Sequence, residues 1–197
     1  MSEPLPQAAL DQLFGHARSY NAYLNIPVSE SQLHAIWDLM KMGPTSLNML
    51  PARLVWCVNQ PSKDKLAGLA SGSNGPKIRA APVTVIIGMD TEFHEQLTEL
   101  FPHKPEARHY FPDPAARATA AFRNSSLQGG YFILAARALG LDTGPMSGFD
   151  HAAVDAAFFS ETPHVKSNFI ATVGYGDPAS IFGRLPRPPF AKFNRIE

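Results

Sequence analysis

Cysteine is almost absent, with Cys57 alone among 197 residues. An internal disulfide is therefore excluded, and so is a paired-thiolate metal site. Cys57 lies in the apolar run Arg53-Leu54-Val55-Trp56-Cys57-Val58, which marks a buried, inert thiol rather than a nucleophile. Net charge of either sign is missing too. The 17 Lys and Arg balance the 17 Asp and Glu, so no overall field gathers nucleic acid or an anionic membrane, and a small neutral partner fits better. No apolar stretch reaches the roughly 18 residues of a spanning helix, and the N-terminal residues show neither a basic region before an apolar run nor a small-residue cleavage site. The chain reads as cytoplasmic.

Several catalytic signatures are also lacking. There is no His-Glu-x-x-His, no Gly-x-x-x-x-Gly-Lys-Ser/Thr and no Gly-x-Ser-x-Gly, which disfavours metalloprotease, P-loop and hydrolase chemistry. Gly174-Tyr175-Gly176 follows a strand-like run but leads into Asp177-Pro178 without opening a helix, so a Rossmann site is disfavoured as well.

What is present suits one sizeable core. With 45% hydrophobic residues over this length, a single domain spanning 1–197 is expected. Leu10, Leu13, Phe14 and Ala17 predict a first helix over 7–24. Ser29 and Gln32 form a capping box before Leu33, Ile36, Trp37 and Met40, and Gly43-Pro44 stop that second helix. The following loop, 44–51, is closed by proline at both ends and presents polar side chains.

Residues 53–58, 83–88 and 169–173 read as strands, the first two buried on both faces. A short helix begins near Ser62, and 71–76 reads as a turn. Residues 90–118 are rich in aromatics and histidine without a sustained period, as in a lid or a surface excursion. A long helix is predicted over 119–139. In it Ser125, Ser126, Gly129 and Gly130 imply close approach by another helix, because glycine costs about 1 kcal/mol in helix propensity. Asp150 caps a short helix carrying Val154 and Phe158. The tail from Tyr175 onward is proline-rich and extended, and its Pro, Phe and Arg residues call for a packing surface elsewhere, such as another subunit.

The remaining chemistry is a dispersed set of cations and amides in turns. Arg18-Ser19, Gly43-Pro44-Thr45-Ser46-Leu47-Asn48, Asn74-Gly75-Pro76-Lys77, the run from Gly140 to Asp150, Gly174-Tyr175-Gly176 and Leu185-Pro186-Arg187 resemble, in this order, the landmarks of FMN-dependent nitroreductases. The likeness spans nearly the whole chain. Gly-Pro-Thr-Ser, Ala121-Phe122-Arg123-Asn124-Ser125-Ser126 and Gly-Pro-Met-Ser-Gly-Phe-Asp further resemble the RutE-like (HadB/RutE) subfamily, associated with malonic semialdehyde reduction.

The resemblance implies an α+β, three-layer sandwich with a mostly antiparallel central sheet flanked by helices, in an intertwined homodimer with FMN at the subunit interface. NAD(P)H would be the co-substrate. It implies that Arg18 and Ser19 hold the flavin's phosphate or ring, that Lys77 reaches the ring with Asn74 nearby, and that Thr45, Ser46 and Asn48 come from the second subunit. Met146, Ser147 and Gly148 would lie beside the ring, with a backbone N–H facing N5, and Arg187 would bind phosphate.

Three departures matter: Ala17, Asn21 and Pro189 stand where relatives carry cations, which brings Asn21 and Arg184 into the cofactor set. A semialdehyde acid would need a cation for its carboxylate, and Arg123 is the candidate. The alternatives are a broad NAD(P)H nitro or quinone reductase, a flavin-binding or flavin-sensing protein without turnover, and a flavin-free helical scaffold.

Overall fold

The structure is a computed structural model that describes residues 3–197. Its centre is a four-stranded sheet of β1 (Ala52–Cys57), β2 (Val83–Asp90), β3 (Asp142–Met146) and β4 (Val165–Gly174), in spatial order β1-β2-β4-β3 with every pairing antiparallel. Strand side chains alternate between faces, and the apolar residues follow that rule. Val83, Val85 and Ile87 of β2 meet α2 (Glu30–Met40) and α6 (Pro114–Ala138) on one face, through Leu33, Ile36, Met40 and Phe132. Ile86 and Ile170 face the other way, onto α3 (Gln60–Gly68), α4 (Asn74–Ala80) and α7 (His151–Phe158). The result is helix, sheet, helix: the three-layer α+β sandwich with an antiparallel sheet that the resemblance implied.

The helix signals translate directly. Ser29 and Gln32 form the reciprocal capping box at the start of α2. The Asp150 side chain accepts from the Ala153 N–H at 3.0 Å and so caps α7. Cys57 is fully buried, and that burial raises its thiol pKa.

Other expectations fail for identifiable reasons. The first helix does not run to residue 24: α1 (Gln7–Leu10) passes into one π-turn, Asp11–Gly15, and then stops. Residues 19–24 are drawn out because their backbone pairs elsewhere, Tyr20 N–H with Thr143 O at 3.2 Å and Leu24 N–H with Tyr175 O at 2.8 Å. The long helix begins five residues before the expected start, where Asp113 caps it through the Ala115 and Ala116 N–H groups ahead of Pro114. The turn expected at 71–76 already contains the first residues of α4. β1 is an edge strand and only half-buried along its middle. β3 was not expected at all, since Gly144-Pro145 reads as a breaker; at a sheet edge, proline costs no ladder bond on its outer side.

The glycines of α6 do not serve a helix pair within the chain. A Cβ on Gly129 would come within 2.4 Å of the Phe169 ring on β4, whereas Gly130 has open space beside it. Of the stretch 90–118, Asp90 ends β2 and 114–118 open α6; residues 91–113 between them form short turns, including α5 (Leu97–Leu100), over a small core of their own, with Phe93, Leu97 and Ala107 fully buried against Met49 and Ala121. No helix among the described residues is long and apolar enough to cross a membrane.

Gly144 shows how tightly β3 is enclosed. A Cβ there would stand 2.5 Å from Thr172 Oγ1 and 2.6 Å from the Tyr20 carbonyl oxygen. Backbone cannot rotate away as a side chain can, so Gly144→Ala is expected to destabilise the protein by about 1–3 kcal/mol, the range for overpacking. Thermal unfolding with an unchanged melting temperature would contradict this packing.

Candidate functional site

β3 has β4 on one side only, and its outer edge is where most of the candidate residues gather. At its start, Ser19 forms a parallel bridge to Thr143. Arg18 and Arg184 then make a reciprocal clasp: Arg18 Nη2 donates to the Phe182 carbonyl at 2.6 Å, while Arg184 Nη2 donates to Gly15 O at 2.8 Å and Ala17 O at 3.0 Å. Neither guanidinium has a carboxylate within ion-pair distance among the described residues. Two unneutralised cations, one from each of the two clasped segments, make a ready seat for an anion.

Two residues without a sequence-based assignment complete this end. Arg137, in the last turn of α6, donates through Nη1 to Leu13 O at 2.8 Å, and its buried Nε has no acceptor. Burial lowers its pKa, opposed by Asp142 and reinforced by Arg184, which places all three charges in one neighbourhood. Asp142 accepts the Gly176 N–H at 3.0 Å. Burial raises its carboxyl pKa, against the pull of that hydrogen bond and of Arg137. A basic residue closing a long helix is a readable signal, whereas its proximity to Arg184 is not.

At the other end of β3 the chain leaves the sheet as Met146-Ser147-Gly148. The Gly148 carbonyl is held twice, by the Ser71 N–H at 2.9 Å and by Asn74 Nδ2 at 3.0 Å. That fixes the peptide plane. Among the described residues the N–H groups of Ser147 and Gly148 have no acceptor, so two adjacent donors stand free beside a half-exposed edge. A Cβ on Gly148 would meet Asn74 Nδ2 at 2.8 Å and push that amide away from the Gly148 carbonyl. Lys77 sits half-buried on α4, one turn beyond Asn74, with no carboxylate paired to it among the described residues.

The remaining candidates lie elsewhere in the chain. Thr45, Ser46 and Asn48 belong to the loop entering β1, at the opposite edge of the sheet. Thr45 Oγ1 is turned inward to accept from the Leu50 N–H at 3.2 Å, and Asn48 Nδ2 donates to Leu100 O at 2.8 Å. Ser46 and Asn48 are exposed, and the Ser46 hydroxyl and the Asn48 side-chain oxygen make no hydrogen bond among the described residues. Leu47, Asn48 and Leu50 have φ of 50°, 52° and 37°, left-handed conformations that cost on the order of 1–3 kcal/mol each away from glycine.

Arg123 is exposed on α6 beside this loop and makes no ion pair among the described residues. Asn21 binds the tail, through Nδ2 to Ser180 O at 3.3 Å. Arg187 bonds only within its own turn, to Leu185 O and Pro186 O, and is not drawn to the Arg18 clasp within one chain.

This geometry defines a class: an α+β protein whose sheet edge offers cations at one end and free main-chain donors at the other, for an elongated ligand with an anionic tail. The chain belongs to the nitroreductase family, whose profile, described as "Nitroreductase family", matches residues 16–175. A protein of Caulobacter sp. (strain K31) named "Putative NADH dehydrogenase/NAD(P)H nitroreductase" is 55% identical over 192 residues, 98% of each chain. One of the same designation from Stenotrophomonas maltophilia (strain K279a) is 55% identical over 197 residues, the whole of both.

Among solved structures, a Bacillus subtilis protein named "putative nitroreductase ydfN" superposes with a TM-score of 0.88 at 23% identity, over 98% of this chain and 100% of that one. A protein of Exiguobacterium sibiricum 255-15 named "putative nitroreductase", solved in complex with FMN, gives 0.84 at 19% identity, over 100% and 99%. These two likenesses establish the fold. Arg184 and Arg187 fall outside the span matched by the family profile.

Asp142 generates a pH prediction. Its folded carboxyl titrates above the ordinary 3.8, so the folded state holds that proton more tightly than the unfolded chain does. The associated stability is complete below 3.8 and is lost as pH rises through the raised value. Asp142→Asn leaves an acceptor for the Gly176 N–H without the titration. The wild-type advantage in melting temperature over this variant should therefore shrink as pH rises across that window; a difference independent of pH would refute the assignment.

Proposed function

We propose that this protein is an FMN-dependent NAD(P)H oxidoreductase, a homodimer of single-domain chains spanning 1–197 with flavins seated between its subunits. It acts on small organic acceptors in the manner of a broad nitro or quinone reductase. The observation that carries this reading is the divided donor set along β3. Arg18 and Arg184 lie unneutralised at its start, and the Ser147 and Gly148 N–H groups stand free beyond its end. From Thr143 to Ser147 the extended backbone spans about 13 Å at about 3.3 Å per residue, a separation on the scale of FMN stretched from phosphate to ring. The donor chemistry fits both ends, and the FMN named with the Exiguobacterium structure supports the same ligand.

Each group then has a task. Arg18 and Arg184 bind the phosphate through charge-assisted hydrogen bonds, with Ser19 beside them and Arg187 supplied by the tail. The Ser147 and Gly148 N–H groups direct the polar edge of the ring from a segment anchored at the Gly148 carbonyl by Asn74 and Ser71 and at the Ser147 carbonyl by the Phe149 N–H, and Met146 packs alongside. Lys77 places a positive charge near the pyrimidine edge, where negative charge develops during transfer. Bound FMN supplies the hydride chemistry between NAD(P)H and the acceptor, and because both substrates use one pocket in turn, the kinetics are ping-pong.

Two features favour the dimer. Within one chain the 45–48 loop and the 146–148 segment are at opposite edges of the sheet, about 14 Å apart across three strand spacings, a placement that suits a loop serving the flavin of a second copy. The tail leaves Phe182, Leu185, Phe190, Phe193 and Ile196 exposed. Beside the β1 edge lies an open, mostly apolar cavity of about 610 Å³ lined by Val28, Leu33, Trp37, Trp56 and Val58 together with Glu30 and His34, which we assign to the partner's tail.

The semialdehyde reading has a narrower basis. It rests on the wording of residues 44–46 and 121–126 and on the exposed, unpaired Arg123.

Purified protein is expected to be yellow, to elute at twice the 21.5 kDa chain mass, and to bleach anaerobically on mixing with NADH or NADPH. Colourless protein would defeat the flavin assignment, and colour that neither nucleotide bleaches would favour a flavin-binding protein without turnover. Comparison of kcat/KM for a nitroaromatic, a quinone and malonic semialdehyde separates the acceptors. Should the semialdehyde prevail, Arg123→Ala should raise KM for the charged aldehyde alone; equal KM for charged and uncharged aldehydes in that variant would remove Arg123 from the site.

A further inference from the structure

The buried face of α6 is apolar over its last two turns, at Phe132, Ala135 and Ala136, and carries amides at its middle. Asn124 and Gln128, four residues apart and so on one side of the helix, are 3% and 0% exposed. Each accepts a backbone N–H from the same short loop. Ser46 N–H donates to Asn124 Oδ1 at 2.9 Å, and Ala52 N–H donates to Gln128 Oε1 at 2.8 Å.

The two pins close off the segment that contains the left-handed Leu47, Asn48 and Leu50. Arg53 adds a third hold, donating through Nη1 to Leu50 O at 3.0 Å and through Nη2 to Asp90 Oδ2 at 2.5 Å. Asn124 is itself oriented by donating from Nδ2 to Ala120 O at 2.9 Å. Gln128 is not: its Nε2 is buried with no acceptor. An unsatisfied buried donor is destabilising, so this amide is unfavourable at that position except for what its oxygen holds.

We infer that Asn124 and Gln128 are positioning residues that clamp both ends of the 45–52 loop to one rigid helix. They thereby hold its left-handed residues in the conformation that presents the Ser46 hydroxyl and the Asn48 side-chain oxygen to the cofactor of the second subunit. This rests on the interface reading given above. Left-handed non-glycine residues persist only where the surroundings over-determine them, and a loop released at either pin relaxes toward ordinary backbone. Neither residue touches the ligand.

The test uses full-length Asn124→Leu and Gln128→Met, with Gln128→Glu as the conservative variant: buried and protonated, it keeps an acceptor for the Ala52 N–H and replaces only an Nε2 that has no partner among the described residues. Two quantities are read: amide hydrogen exchange at Ser46 and Ala52, and the FMN Kd from quenching of flavin fluorescence. Loss of a pin is expected to speed exchange at the released amide and to raise the Kd about tenfold, the scale of one buried hydrogen bond. Gln128→Glu is expected to keep both near their wild-type values.

If the Leu variant does not fold, Asn124→Ser is the smaller lesion, with a hydroxyl too short to reach the Ser46 N–H. Unchanged exchange in the variants would overturn the clamp, and faster exchange with an unchanged Kd would overturn its role in cofactor binding. If the wild-type protein binds no FMN, the failure is that of the function proposed above. The exchange data would then still decide whether the loop is clamped.

Discussion

β3 is an edge strand, and most of the candidate chemistry follows from that. A strand paired on one side leaves its other backbone edge to be satisfied by whatever lies next to it. At its start the 19–24 strap takes that role, through the Ser19–Thr143 bridge and the Tyr20 N–H. Past its end no element covers the Ser147 and Gly148 N–H groups. Gly144 allows the strap to lie close, and Pro145 is tolerated because no neighbour requires its missing N–H. Moving β3 inside the sheet would consume both the strap's contacts and the free donors.

α6 organises the other half of the candidate site. Its C-terminal portion is ordinary core, with Phe132, Ala135 and Ala136 against the sheet. Its middle holds polar groups: Asn124 and Gln128 to the 45–52 loop, and Ser125 and Ser126 to Asn168 Nδ2 at 2.8 and 2.9 Å. Asn168 is the extra residue at the irregularity in the β2–β4 pairing, where Ile87 faces Phe169 and Gly88 faces Ser167. A bulge turns a side chain away from the regular alternation, and here it meets two helix hydroxyls. One helix thus fixes a strained loop and a bulged strand by buried amide and hydroxyl bonds, which demand geometry in a way that apolar contact does not.

Much of the fold was legible because its signals are local. The Ser29–Gln32 capping box, the Asp150 cap and the runs that became β1, β2 and β4 each depend on residues within a few positions of one another. The misses share a cause. Residues 17–24 continue a helical pattern yet are extended, because β3 and Tyr175 take their hydrogen bonds from more than a hundred residues away. The strand at Asp142–Met146 looks like a turn, because only its edge position makes Gly-Pro acceptable. Among the functional candidates, the order of turn-borne cations and amides carried the family resemblance, while Asn124, Gln128, Arg137 and Asp142 received no role.

The sequence by itself determined the element types with strong local caps, the alternation that sorts β2 between two helical layers, and the family to which the chain belongs. The tertiary structure decided which cations lie together, that Arg184 rather than Arg187 closes on the Arg18 strap within one chain, and that the 45–48 loop stands at the opposite edge from Gly148. The reason lies in range. Caps and periodicity act within a turn or two of backbone, whereas charge neighbourhoods and strand order are set by the packing of segments far apart in the chain, which no local pattern encodes.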